Sequence, residues 1–370
     1  MASVETSVSA KTDSTGSPEK KKFGLALQGG GALGAYEAGA IECLYDRGME
    51  CAIVAGASSG ALNAVALAAA KTYPPDALKA MWTEFGTPKL PVPDPIEHYW
   101  ALSGVPHMYR PRRDYWNFPT WTYVAENKPL KETLERLDWD QVRDWEHMRL
   151  FVSASDVETG KTTYFSNLPL EKLPRRPEYP AVLFAVEHVL ASGSFPGGFP
   201  WTVIGDRFYW DGGLTDNTPL HPVIDNLTEA EAETMPIYVI DVNTGYEPAK
   251  PANLLEVELR GFEMLLQNNL ETDTKRAESY GRFISVLKKV RIILEKCKEL
   301  PAERQPPELA GLLADLLDED WEKVMGYDHV RNVHAVDIKK PAGETPFDFA
   351  PESIERRLRE GREQMCEYLG

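Results

Sequence analysis

Residues 25–34, LALQGGGALG, constrain this chain more than any other stretch. An apolar run leads into glycines at Gly29, Gly31 and Gly34, spaced G-x-G-x-x-G, and AYEAGAIECLYDRG follows with helical periodicity. Strand, glycine turn and helix in that order make a βα unit of an α/β sheet, and the turn offers bare backbone N–H groups to an anion. Two anions suit it: the pyrophosphate of a dinucleotide, or a transient oxyanion.

The next unit separates them. Cys51 to Ala55 is a second apolar strand, and an alanine-rich helix begins at Ala61. A dinucleotide fold needs an acidic residue near the end of that strand to hold the ribose. The nearest acid, Glu50, precedes the strand, and its end carries Gly56-Ala57-Ser58-Ser59-Gly60 instead. G-x-S-x-G on a strand-to-helix turn lifts one hydroxyl, here that of Ser58, clear of the sheet. Parallel strands bring both glycine turns to one sheet edge, so the amides of Gly30, Gly31 and Ser59 can converge on an oxyanion beside Ser58. Acyl transfer is therefore expected rather than nucleotide binding.

Beyond these turns the α/β pattern continues. Residues 86–123 interrupt it with a proline- and aromatic-rich excursion, read as a lid, an interaction surface or simply a packed irregular loop. Arg149 to Ser155 and TTYFS form a hairpin, Ala181 to Leu190 reads as helix, and Arg207 to Trp210 is a short strand ending in DGG. Pro236 to Val242 is a buried strand and His334 to Ile338 an edge strand. Helices are expected over 251–299, Glu308 to Met325 and Glu352 to Leu369.

GGGALGAYEAG, GASSG and Asp211-Gly212-Gly213 followed by Leu214-Thr215-Asp216-Asn217-Thr218-Pro219 together resemble the patatin-like phospholipases and acylhydrolases, over roughly residues 23–245. The resemblance implies an α/β three-layer sandwich with a mainly parallel central sheet and, as in some bacterial members, a helical C-terminal region. It implies an oxyanion hole at Gly29, Gly30 and Gly31, a nucleophile at Ser58 and its sole partner at Asp211. Many members carry Asp before these glycines and a basic residue after them. This chain has Gln28 and Leu33, so backbone amides must carry the oxyanion without an auxiliary cation.

A carboxylate of ordinary pKa is a weak base for a hydroxyl, so a Ser–Asp dyad requires a desolvated Asp211 held close to Ser58. Gly212 and Gly213 permit that approach. Otherwise Asp211 is a turn residue capping its own loop. Two alternatives stand beside the dyad. One is a Ser–His–Asp esterase drawing on His188, His221, His329 or His334; the other is a non-catalytic lipid- or protein-binding module on the same scaffold.

Composition narrows the partners. Among 370 residues, 57 acidic and 40 basic side chains give a formal charge of −17, which repels nucleic acid. The aromatic excursion, with Tyr99, Trp100, Tyr109, Tyr115, Trp116 and Trp121 beside Arg110, Arg112 and Arg113, suits acyl chains or a lipid surface, and the arginines suit a phosphate headgroup unless they merely solvate the loop. The substrate expected is a lipid ester, with peripheral membrane contact and homo-oligomerisation left open, in the cytoplasm or at the inner membrane surface. Cofactor and metal are not expected, because the nucleophile is a side chain. Cys43, Cys51, Cys297 and Cys366 have no paired spacing and read as free thiols in a reducing compartment. Residues 1–22 lack an apolar core and read as a disordered tail, 23–250 as the catalytic domain, and 251–370 as helices packed upon it.

Overall fold

The computed structural model describes residues 20–87, 104–243 and 332–370 apart from 342–343, with five isolated positions between 250 and 297. The tail before residue 20 and the helices expected over 251–299 and 308–325 lie outside the described residues, as do Tyr99, Trp100 and His329.

Strand β1 (Lys21–Leu27) pairs in parallel with β2 (Met49–Gly56), Leu27 lying opposite Gly56. A two-residue ribbon, β3 (Arg110–Pro111) with β4 (Ala125–Glu126), stands apart from the main sheet. The remaining strands are β5 (Arg149–Asp156), β6 (Thr162–Ser166), β7 (Thr202–Ile204), β8 (Arg207–Asp211), β9 (Ile237–Asp241) and β10 (Val333–Asp337). In the main sheet the order is β10-β9-β1-β2-β5-β8-β7, with β6 also on β5. From β10 to β5 every pairing is parallel, whereas β6, β8 and β7 add antiparallel.

Successive residues of each inner strand point to opposite faces, and both faces are covered. Phe23, Leu25 and Leu27 enter one core cluster while Ala26 enters the other; Val54 and Ile53 divide likewise. The larger cluster takes in helices α1 (Gly34–Asp46), α2 (Ser59–Ala69) and α3 (Pro74–Phe85). All eleven residues of α2 are buried, which explains an alanine-rich sequence without a polar face. Helices α4 (Lys128–Leu134), α5 (Trp139–Arg143) and α6 (Val186–Ser192) continue this layer. On the opposite face α7 (Leu220–Asp225) covers the sheet, and the short α8 (Glu229–Thr234) leads into β9. The result is a mixed α/β three-layer sandwich. Helix α6 is shorter than the expected 181–190, because the His188 ring accepts the Ala185 amide at 2.9 Å and caps the helix there.

The last helix, α9 (Pro351–Leu369), crosses α1 backbone to backbone. A Cβ on Gly39 would stand 2.0 Å from the Leu358 carbonyl oxygen, and one on Gly361 would stand 2.1 Å from that of Tyr36. The crossing joins Cys43 to Cys366 in a disulfide, which corrects the expectation of four free thiols. The pair is 323 residues apart in sequence, so only the docking of α9 brings them together. Cys51 and Cys297 remain free. Among the described residues no helix is long and apolar enough to cross a membrane.

Candidate active site

Strand β5 acts as a ruler for the site. Its residues 151–155 pair with β6 along one edge, so β2 and β8 must share the other. Val152 lies opposite Gly56 and Ala154 opposite Asp211, two residues or about 7 Å further along the strand. The elbow that follows Gly56 therefore meets the end of β8 at one point on the sheet edge.

At that point Ser58 has φ 50° and ψ −117°, the one positive φ among described residues other than glycine. Such a conformation stores roughly 1–3 kcal/mol and persists only where the surroundings impose it. The Ala57 amide donates to the Leu27 carbonyl at 3.2 Å, the Gly60 amide to Ala57 at 2.7 Å, and the Ser58 amide to Ser192 Oγ at 3.0 Å. Gly60 is required by close approach, since a Cβ there would lie 2.4 Å from the Leu27 carbonyl oxygen.

Asp211 ends β8 with its side chain 5% exposed. Its amide donates to Ser194 O at 3.0 Å, its carbonyl accepts Ser155 Oγ at 2.7 Å, and its Oδ1 accepts the Gly213 amide at 2.8 Å. Asp211 thus caps its own turn and also faces Ser58. Burial pushes the carboxyl up to about 6; hydrogen bonds from the Ser58 side chain and the Gly213 amide pull the other way and lose. Among the described residues no histidine takes part in that balance. His188 is instead stacked on Phe184, its Nδ1 engaged at the head of α6 and its basicity lowered by burial. His334 sits on β10 beside Tyr368, and His221 opens α7.

The glycine turn is held by side chains that spacing did not reveal. Asn217 brackets Gly29: the Gly29 amide donates to Asn217 Oδ1 at 3.1 Å, and Asn217 Nδ2 donates to the Gly29 carbonyl, also at 3.1 Å. Asn243 Nδ2 reaches the same carbonyl at 2.8 Å. Gln28 Nε2 donates to Thr218 Oγ1 at 2.8 Å, while its Oε1 accepts the Val242 amide at 3.0 Å. Beneath lies the fully buried Glu37, which accepts the Gln28 amide at 2.6 Å and Asn63 Nδ2 at 2.9 Å. Burial holds the Glu37 carboxyl well above the usual carboxylate range.

These bonds alter the expected anion cradle. The Gly29 amide is spent on Asn217, and the Gly30 amide donates to Ser59 Oγ at 3.0 Å. The Gly31 and Ser59 amides meet no acceptor among the described residues. Gly31 has φ +55°, and the next amide, Ala32, is drawn to the Pro346 carbonyl at 2.8 Å. Asn217 lies six residues beyond Asp211 and Ser192 ends α6, yet no spacing rule connects 217 with 29 or 192 with 58.

Fold and site together define a mixed α/β protein with a parallel central sheet whose edge joins a serine elbow, a buried aspartate and a glycine turn. Residues 25–224 match the family described as patatin-like phospholipase, and the chain belongs to that family. A solved structure, VipD from Legionella pneumophila, aligns over 97% of this chain and 69% of its own, at 15% identity and a TM-score of 0.40. No curated protein matches.

Proposed function

We propose that this chain is a serine acylhydrolase of lipid carboxylic esters that works through Ser58 and Asp211. The observation that carries the reading is the buried Asp211 carboxyl, raised to about 6, facing a serine held at positive φ on a strand-to-helix elbow. A carboxylate of that basicity is ionised at pH 7 yet accepts a proton far more readily than an exposed aspartate.

In the proposed cycle Ser58 Oγ attacks the ester carbonyl carbon as its proton passes to Asp211. The Gly31 and Ser59 amides donate to the resulting oxyanion; the Gly30 amide joins them if Ser59 Oγ yields its bond. Asp211 returns the proton to the departing alcohol as the carbon–oxygen bond breaks. It then takes a proton from water as that water attacks the acyl-enzyme, and it returns the proton to Ser58 Oγ as the acyl carbon–Oγ bond breaks and the fatty acid leaves. Ser192 and Asn217 position the Ser58 and Gly29 backbones and touch no reacting atom. Residues 23–250 are proposed as the catalytic unit.

A fluorophosphonate probe and p-nitrophenyl esters of graded chain length test the reading. Labelling at Ser58, lost in Ser58→Ala, is the expected result, with kcat/KM rising through pH about 6 to a plateau. Absence of labelling in folded protein would refute it. So would loss of esterase activity in a well-folded His188→Ala, which would restore the triad.

A further inference from the structure

Segment 104–126, which had no sequence period, has a definite shape. Tyr115–Thr120 winds a six-residue 3-10 turn with no buried residue. Tyr115, Trp116 and Phe118 on it are 67%, 80% and 63% exposed. Rings of this size offer together about 400 Å² of apolar surface, comparable to the largest patch on a typical monomer.

This turn is built rather than loose. Trp121 packs on Tyr115 and Phe118 with ring centres 5.8 and 5.4 Å apart. The Arg112 guanidinium lies 4.5 Å from the Trp121 ring centre and 4.6 Å from that of Tyr123. Asp114 fixes Arg112 with bonds of 3.0 and 2.6 Å. At its base the Val124 and Ala125 amides donate to Gly197 and Gly198 carbonyls, each at 2.9 Å. That loop runs directly on from Ser192 and Ser194, which hold the Ser58 and Asp211 backbones, and leads to half-exposed Trp201. The aromatic turn is therefore anchored to the segment that positions the proposed dyad.

Charge decides what kind of surface it meets. Arg110 is engaged by Glu126 at 3.0 Å and Arg112 by Asp114, leaving Arg113 as the guanidinium of the triplet with no carboxylate partner among the described residues. One cation on a chain of net charge −17 gives little attraction to anionic lipid. Tyrosine and tryptophan rings suit the headgroup level of any bilayer.

We propose that Tyr115, Trp116 and Phe118 form a docking knob that enters a zwitterionic lipid–water interface and delivers the neighbouring site to its substrate. This rests on the lipid-ester reading above. Full-length protein and the variant Trp116→Ser/Phe118→Ser, both positions exposed enough to leave folding intact, are sedimented with phosphatidylcholine vesicles and assayed on soluble p-nitrophenyl butyrate. The wild type is expected to bind, and the variant to lose about tenfold in partitioning while soluble-ester turnover stays within about twofold. Added phosphatidylserine should not strengthen binding, nor added salt release it.

Several results would overturn the proposal: no vesicle binding by the wild type, equal binding by the variant, or binding that requires phosphatidylserine. A dimer abolished in the variant would assign the knob to a second copy of the chain. A KM defect growing with chain length of soluble esters would assign it to the acyl chain. Vesicle binding by a protein that hydrolyses no ester would refute the acylhydrolase reading and leave the docking knob standing.

Discussion

Replacing Asp211 by Asn should abolish turnover and, above pH 6, stabilise the fold. The carboxyl is pushed from the ordinary 3.8 to about 6, chiefly by burial. Two units correspond to about 3 kcal/mol of differential interaction. The sign follows from proton linkage. Between pH 4 and 6 the folded state binds more protons at this site than the unfolded state, so stability falls as pH rises through that window. The contribution is fully present below the unfolded pKa and gone above the folded one. Asn keeps an oxygen for the Gly213 amide but carries no charge, so the variant lacks this loss. Urea unfolding of both proteins at pH 4 and pH 8 isolates the effect as a double difference. Wild type should lose about 2–3 kcal/mol more than Asp211→Asn between the two values, or about 5 °C in Tm. Parallel pH dependences would show that Asp211 is not a desolvated base, and the proposed mechanism would lose its support.

Other expectations follow from the same geometry. Ser58→Ala keeps a Cβ at φ 50° whereas Ser58→Gly does not, so the glycine variant should be the more stable by about 1 kcal/mol in thermal unfolding, with neither active. Asn217→Ala removes both side-chain bonds of Asn217 to Gly29 and should lower kcat by about 100-fold with a smaller change in KM, the signature of a displaced anion cradle in pre-steady-state assays. Its stability should fall by only about 1 kcal/mol, because the Gly29 amide keeps the Asn217 backbone carbonyl and the Gly29 carbonyl keeps Asn243 Nδ2. Cys43→Ser/Cys366→Ser should cost about 2–4 kcal/mol by calorimetry while leaving ester turnover intact, because the bridge joins α9 to α1 and touches neither Ser58 nor Asp211.

Local chemistry carried much of this protein's sequence-level reading. Apolar runs, glycine turns and helical periods are short-range signals, so β1, the elbow strand, the β5–β6 hairpin and the terminal helix were legible within a few residues of their ends. Ser58 was legible because G-x-S-x-G needs only its own strand and helix to make sense. Asp211 was carried by family resemblance, since no spacing relates residue 211 to residue 58.

Tertiary structure decided the rest, because each remaining feature depends on contacts between distant residues. β5 brings β2 and β8 to one edge, which juxtaposes Ser58 with Asp211 and desolvates the carboxyl. Asn217 and Ser59 claim the Gly29 and Gly30 amides, a competition for hydrogen bonds that no linear pattern records. The Cys43–Cys366 bridge exists only because Gly39 and Gly361 let two helix backbones meet. Even the arginine triplet, uniform in sequence, was divided by its neighbours into Arg110 and Arg112, which pair with carboxylates, and Arg113, which has no carboxylate partner among the described residues. Sequence alone determined which local shapes the chain adopts. Burial and register determined which of its groups face one another, and so which of them can do chemistry.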